Sequence, residues 1–296
     1  MTKIDGSTDN LRRRAMVTGG AGLLGRFMAA QLESTGWKVF AFDHASLDVG
    51  SQEDISRGFA QSNPALVINC AATTDVDRCE LDADWAYRIN ATGPRLLARY
   101  CAESGADLVH LSTDYVFDGT KGALYTQEDE PNPLSTYAKS KLAGELEVRE
   151  ENPQAYLVRT SWIFGPGGKN FGSRVLEWAA QGLHIRAATD QTSIPTYAPD
   201  LAARIEEIVR KGHPGLYHIT NSGETSWYDF AQYALRLADY DQVALEPVKR
   251  RDLRQLAPRP MNTPMRCLLS EKLGLRPLRH WRQALDEFVR LRQREQ

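Results

Sequence analysis

Ala15-Met16-Val17-Thr18-Gly19-Gly20-Ala21-Gly22-Leu23-Leu24-Gly25 runs from a short apolar stretch through a glycine cluster into a helical pattern that continues to about Ser34. Strand, glycine turn and helix, in that order, form the context in which a dinucleotide fingerprint carries meaning. Small residues let the backbone approach a pyrophosphate, and the helix N-terminus offers it a positive end. Two registers fit, Gly20-x-Gly22-x-x-Gly25 and Gly19-x-x-Gly22-x-x-Gly25. A glycine turn can also serve tight packing alone; the flanking strand and helix favour a cofactor turn here.

Outward from that turn the pattern alternates. Lys38 to Phe42 reads as a second strand ending at Asp43, about 20 residues past the fingerprint. An acid there would accept from a ribose 2′-hydroxyl and repel a 2′-phosphate, favouring NAD over NADP; the plainer reading is a surface carboxylate at a strand end. Asp48-Val49 follows on a loop that can border an adenine. Ala65 to Asn69 is the next strand, leading into Cys70-Ala71-Ala72-Thr73, small enough for backbone to lie against a cofactor. Asp77 and Glu80 can be site residues or helix N-terminal acids. Trp85 to Glu103 reads as one long amphipathic helix; Asn90 within it is either a structural hydrogen bonder or part of a site. Strands alternating with helices in this way predict an α/β fold with a Rossmann-type doubly wound parallel sheet.

Asp107 to Leu111 is apolar enough for a buried strand, placing Ser112 and Thr113 at its C-terminal end. After an acid- and proline-rich loop, Ser135 is a candidate N-cap for a helix carrying Tyr137 and Lys141, one turn apart on one face. A free tyrosine has a pKa of about 10. A nearby ammonium favours phenolate and brings that value towards a useful range, and a threonine hydroxyl facing the same space can bond a carbonyl oxygen. Such a trio suits hydride transfer to or from a carbonyl beside a cofactor. Ala155 to Thr160 is a further strand, after which Ser161 to Gly168 breaks the alternation. Trp162 there is a core aromatic or a pocket wall. Residues 14–164 are expected to form the cofactor-binding domain, with 196–221 returning to it, and 165–296 a smaller C-terminal substrate-binding lobe.

Composition bounds the partners. The 296 residues are 42% hydrophobic and 25% charged with a net charge of -2, an ordinary globular balance that disfavours a nucleic-acid partner. Arg12-Arg13-Arg14 reads as a solvated edge after a loose polar arm. Cys70, Cys79, Cys101 and Cys267 show no metal-ligand spacing, so reduced thiols and no bound metal are expected. No stretch reads as a signal peptide or membrane span, which makes the cytoplasm the default compartment and excludes a membrane partner. A homodimer stays open.

Taken together, Thr18 to Gly25, Asn69 to Asp77, Asn90-Ala91-Thr92, Ser112 to Gly119, Tyr137 to Glu145, Arg159 to Trp162, Asp190-Gln191 with Pro195-Thr196, and Arg259-Pro260 with Asn262 resemble the extended short-chain dehydrogenase/reductase superfamily, and within it the dTDP-4-dehydrorhamnose reductase family. The resemblance covers nearly the whole chain from Arg14. It implies an enzyme that uses NADPH or NADH to reduce the 4-keto group of a nucleotide-linked 6-deoxy sugar. It also implies that Thr113, Tyr137 and Lys141 are catalytic. Gly19, Gly22, Leu23, Leu24, Gly25, Asp43, Asp48, Val49, Ala71, Ala72, Thr73 and Asn90 would hold the cofactor, together with Tyr137 and Lys141. Thr74, Val76, Asp77, Thr113, Asp114, Tyr115, Trp162, Arg259 and Asn262 would face the nucleotide-sugar. Thr192-Ser193-Ile194 lacks the glycine that often follows Asp-Gln in the family, and His44 after Asp43 leaves the cofactor preference open. Sugar 4,6-dehydratases carry an Asp-Glu pair after the threonine; Asp114-Tyr115 disfavours elimination. A 4-epimerase fits Ser112 to Gly119 less well. A non-catalytic NAD(P)-binding regulator, like the relative that regulates methionine adenosyltransferase, is opposed by the intact trio.

Overall fold

The protein is described from a computed structural model over residues 13–294. The arm expected at the N-terminus, with Arg12, lies outside the described residues. Arg14 is not a free solvated charge: its guanidinium donates to the carbonyls of Ser62 (2.5 Å) and Gln61 (3.2 Å).

The first strand, β1 (Arg14–Thr18), feeds through the glycine turn into α1 (Leu23–Ser34), then β2 (Lys38–Phe42), α2 (Gln52–Ser62) and β3 (Leu66–Asn69). Short helices α3 (Val76–Leu81) and α4 (Ala83–Tyr87) lead to α5 (Gly93–Ser104), β4 (Asp107–Thr113), α6 (Thr136–Glu151) and β5 (Tyr156–Thr160). Beyond these lie β6 (Ile163–Phe164), α7 (Phe171–Ala180), β7 (Ile185–Ala188), β8 (Thr192–Ser193), β9 (Thr196–Tyr197), α8 (Ala198–Lys211) and β10 (Gly215–His218). The chain ends with β11 (Thr225–Ser226), α9 (Trp227–Leu237), β12 (Leu245–Val248), α10 (Leu268–Lys272) and α11 (Trp281–Arg294). Among the described residues no helix is long and apolar enough to cross a membrane.

Six strands form one parallel sheet in the order β10-β5-β4-β3-β1-β2. Successive β1 side chains serve opposite faces, the period-2 consequence of the pleat. Ala15 and Val17 pack with Met28 and Leu32 of α1 and Ile205 of α8. Met16 packs on the other side with Ile55 of α2, Leu97 of α5 and Val148 of α6. Burial on both faces explains why these strands read as continuous apolar runs. A separate core, built on Phe164, Val175, Phe230, Trp281 and Phe288, holds α7, α9 and α11 together.

The helix expected from Trp85 to Glu103 is interrupted by a π-helical turn over Arg88–Thr92. Pro94 has no N–H to give the Asn90 carbonyl four residues back, so the ladder cannot continue unbroken and the turn widens. That carbonyl lies against Gly144 of α6, where an added Cβ would collide with it. Gly144→Ala is expected to lower stability by about 1–3 kcal/mol through overpacking. Chemical denaturation would check this; an unchanged midpoint would show that α6 and the π-turn are not in hard contact.

Candidate active site

Between β1 and β3 the strand order reverses direction along the sheet, and a crevice opens at the C-terminal strand ends, where open α/β sheets bind ligands. This cleft has a volume of about 340 Å³ and is lined by Gly19, Gly22, Asp43, Asp48, Val49, Ala71, Ala72 and Thr73, with Cys70 at its floor. Gly19 has φ +65°, and a Cβ there would meet the Ala71 and Cys70 backbone within 2.9 Å. Added at Gly25, a Cβ would strike the Gly19 carbonyl. The turn therefore tolerates only glycine at these two points. α1 starts at Leu23 with no side-chain cap and no acid in its first turn, so the N–H groups of Leu23, Leu24 and Gly25 and the positive helix end are uncompensated. The Leu24 side chain points back into the core. Cradle, width and charge fit a dinucleotide pyrophosphate.

Two of the expected cofactor residues that line the cleft also make local contacts. Asp43 stands exposed at the end of β2, accepting from the Ser46 amide (2.9 Å) and hydroxyl (2.7 Å), which hold its carboxyl below the usual range. Asp48 pairs with Arg88 at 2.7 Å and accepts from the Gly50 amide. Asn90, left open between a structural hydrogen bonder and a site residue, is bonded within the protein. Its fully buried carboxamide accepts from the Thr73 amide (3.0 Å) and donates to the Thr73 carbonyl (3.1 Å) and the Ser140 hydroxyl (3.0 Å). With these bonds Asn90 clamps the Thr73 loop, which lines the cleft, to α6.

Ser135 caps α6, its hydroxyl accepting from the Ala138 amide at 3.2 Å. Glu80 reaches across from α3 to accept from the Thr136 amide (2.6 Å) and hydroxyl (2.8 Å), an N-terminal acid for another helix. Tyr137, Lys141 and Thr113 are all buried. Lys141 Nζ donates to the Leu111 carbonyl at 2.6 Å. The expected lowering of the Tyr137 pKa is not what this geometry produces. Burial pushes the phenol above its ordinary value, the Thr113 hydroxyl opposes, and the ammonium lies with Leu111 instead. Desolvation wins because burial removes the water that would stabilise a phenolate, and the nearby Asp114 carboxylate disfavours it further. Tyr137 is thus held as a neutral phenol.

The residues expected to face a sugar divide. Thr74 is exposed and Val76 packs near Tyr137. Tyr115 packs edge-on to Tyr137, ring centroids 6.0 Å apart. Asp77 and Arg259 pair with each other at 3.0 Å, and Asp77 also accepts from the Ala257 amide, which ties the cleft rim to the C-terminal segment. Burial, and then the neighbouring Arg259 charge, disfavour the charged form of Arg250. Asn262 accepts from the Thr192 hydroxyl at 2.6 Å. Trp162 adopts φ +44° and stacks on Trp227 with centroids 3.6 Å apart, a lobe-packing position. Asp114 does not open to the cleft: its carboxylate accepts from Thr263 (2.5 Å), Ser193 (3.0 Å) and Thr113 (3.2 Å). Sequence reasoning missed Ser193, Thr263 and Arg250, which follow no helical or strand spacing from the trio. Thr113, Tyr137 and Lys141 line neither this cleft nor a second cavity of about 340 Å³ between β10 and residues 265–278; the trio is joined to the cleft through Cys70, beside Lys141, and the Thr73 loop held by Asn90.

Comparison with known proteins gives this geometry a context. Residues 13–293 match the family model described as the RmlD substrate binding domain. The chain is 39% identical to a probable dTDP-4,6-dihydroxy-2-methyloxan-3-one 4-ketoreductase of Streptomyces antibioticus, across 93% of this chain and 94% of that protein. It is similar to the crystal structure of a dTDP-4-dehydrorhamnose reductase from Clostridium acetobutylicum, with TM-score 0.90, 37% identity, and 94% and 99% of the two chains covered. A dTDP-4-dehydrorhamnose reductase from Bacillus anthracis in complex with NADP matches with TM-score 0.90, 32% identity, and 93% and 98% covered.

Asp114 yields a pH prediction. Burial raises its pKa from 3.8 to about 6 despite the three hydroxyl donors. The fold therefore holds this proton more tightly than the unfolded chain does. The resulting contribution is fully present below pH 3.8 and is lost as pH rises through about 6. Asp114→Asn should abolish that slope, worth up to about 3 kcal/mol. Urea denaturation of both proteins between pH 4 and 7 measures it; parallel profiles would refute a buried, titrating Asp114.

Proposed function

This chain belongs to the RmlD substrate binding domain family, and on that premise we propose that it is an NAD(P)H-dependent dTDP-4-dehydrorhamnose reductase. It reduces the 4-keto group of a nucleotide-linked 6-deoxy sugar, a step that forms dTDP-L-rhamnose. The observation that carries the reading is the neutral, buried Tyr137 beside the Thr113 hydroxyl, on the helix whose Lys141 lies beside Cys70 of a glycine-walled cleft that suits a dinucleotide.

When bound, the nicotinamide cofactor, NADPH or NADH, supplies the hydride. The glycine turn, Ala71, Ala72 and Thr73 give its phosphates and ribose a backbone surface without side-chain obstruction. Lys141, one helical turn from Tyr137, would supply positive charge to a ribose hydroxyl of the bound cofactor. Thr113 orients the substrate carbonyl, and Tyr137 donates its proton to the carbonyl oxygen as negative charge develops there. A raised phenol pKa suits that direction of transfer, because the proton remains on Tyr137 until the alkoxide forms. Arg259, with Arg250 beside it, brings positive charge to the nucleotide diphosphate. The relative from Streptomyces antibioticus supports a second reading that changes only the sugar, with the same trio acting on another dTDP-linked ketone.

Tyr137→Phe should lower kcat by about 10²–10⁴-fold while NADPH binding stays within a few-fold of the unsubstituted protein. Nicotinamide absorbance with dTDP-4-dehydro-L-rhamnose gives the first quantity and fluorescence titration the second. Retained turnover would reject the assignment. Asp43→Asn should raise kcat/KM for NADPH relative to NADH, since the carboxylate no longer repels a 2′-phosphate. An unchanged ratio would place cofactor selection elsewhere on the rim.

A further inference from the structure

Beneath Lys141 lies a buried charge group to which the reductase reading gives no role. Glu145 sits one turn further along α6 and is 3% exposed. Its carboxylate accepts from Arg159 of β5 through Nε (2.9 Å) and Nη2 (2.7 Å), and from the Ser112 hydroxyl of β4 at 2.5 Å. Arg159 is buried as well, its guanidinium 5.1 Å from the Phe117 ring centroid and its Nη1 3.4 Å from His218 Nε2. His218 Nδ1 lies 3.1 Å from the Arg266 carbonyl and 3.3 Å from that of Tyr125. Carbonyls only accept, so Nδ1 carries the proton and Nε2 offers its lone pair to the guanidinium. Burial, then the Arg159 charge, pushes this imidazole down to about 3, leaving it neutral.

Three charges, Lys141, Glu145 and Arg159, thus share one dry region. Replacing a buried ion pair by apolar side chains is often neutral or stabilising, so its presence points away from stability as the whole explanation. Lys141 is pulled down to about 8 by desolvation, and Glu145 is the carboxylate that opposes this. The other groups facing it carry no compensating charge. The Cys70 thiol at the end of β3 is pushed up to about 12 by burial, His110 of β4 is held neutral by burial, and the Tyr137 phenol is neutral. Yet Lys141 does not bond Glu145: Arg159 and Ser112 occupy that carboxylate, and Nζ turns to the Leu111 carbonyl.

We propose that Glu145 and Arg159 are positioning residues for the reaction, a buried pair that keeps Lys141 protonated while preventing the carboxylate from capturing its ammonium. The proposal rests on the reductase reading for what Lys141 does, but not for its charge.

The test is the pH dependence, between pH 6 and 10, of both NADPH affinity and kcat/KM in the unsubstituted protein, Glu145→Gln and Arg159→Met. Glu145→Gln should move the alkaline limb of both profiles to lower pH by about 1 pH unit or more. Arg159→Met should move it to higher pH and lower kcat, because the freed carboxylate draws the ammonium away from the site. Opposed directions are a signature that loss of packing does not produce. Uniformly reduced activity with unmoved limbs in folded variants would overturn the proposal. Should a single variant fail to fold, Glu145→Gln with Arg159→Met leaves neither partner as an unpaired buried charge. Its limb should lie below that of the unsubstituted protein, Glu145 being the nearer charge, and an unmoved limb would again refute the pair. A protein that binds NADPH but reduces no keto sugar would sink the reductase reading, while its affinity profile would still decide the charge of Lys141.

Discussion

The architecture of the site depends on how closely α6 lies against β4 and the π-turn. Along one face of that helix, Tyr137 is held next to Thr113, Lys141 touches the Leu111 carbonyl, Gly144 meets the Asn90 carbonyl, and Glu145 takes the Ser112 hydroxyl. Each contact needs a side chain of a particular length, or none at all at Gly144. A helix moved outward by one ångström would lose them together. Pro94 has a part in this, because it frees the carbonyl on which Gly144 rests and spaces the π-turn so that Asn90 reaches Thr73. Packing in one layer thereby sets both the proton donor and the cofactor-facing loop.

A second constraint joins the sheet to the lobe. Asp114 follows Thr113 directly and is bound by Ser193 of β8 and Thr263 of the C-terminal segment. Asp77 and Arg259 make the matching link at the other rim. Both ties run from loops at the C-terminal strand ends to the lobe, so the lobe's position is referred to the residues next to Thr113 and to the cleft rim. Desolvation tunes the chemistry within. It keeps Tyr137 protonated, pulls on Lys141 and penalises Asp114, and only Lys141 has a carboxylate close by to oppose the effect.

Much of this was legible from the residues alone. The glycine turn, the alternating strands and helices and the Tyr137/Lys141 spacing are local signals, set by periodicity and by the conformational freedom of glycine. α2 carried its own cap at Ser51 yet stood out little in an otherwise polar stretch. What remained hidden depends on distance in space. Nothing near Asp114 in the chain announces Ser193 or Thr263, 79 and 149 residues away. The three bonds that Asn90 makes within the protein were not legible either. Sequence spacing gives the ammonium near Tyr137 but neither the burial that pushes the phenol up nor the Leu111 carbonyl that Lys141 bonds. The stacking of Trp227 on Trp162, 65 positions on in the chain, was equally invisible in the sequence.

The most direct test of the central claim follows the hydride itself. The protein would be incubated with dTDP-4-dehydro-L-rhamnose and NADPH or NADH deuterated at the transferable C4 position, and the sugar product examined by NMR. Stoichiometric deuterium at sugar C4, with oxidised cofactor formed in equal amount, is the result expected of this site. Cofactor that binds in the cleft but transfers no deuterium to that ketone, or to any other dTDP-linked 4-keto sugar, would contradict it.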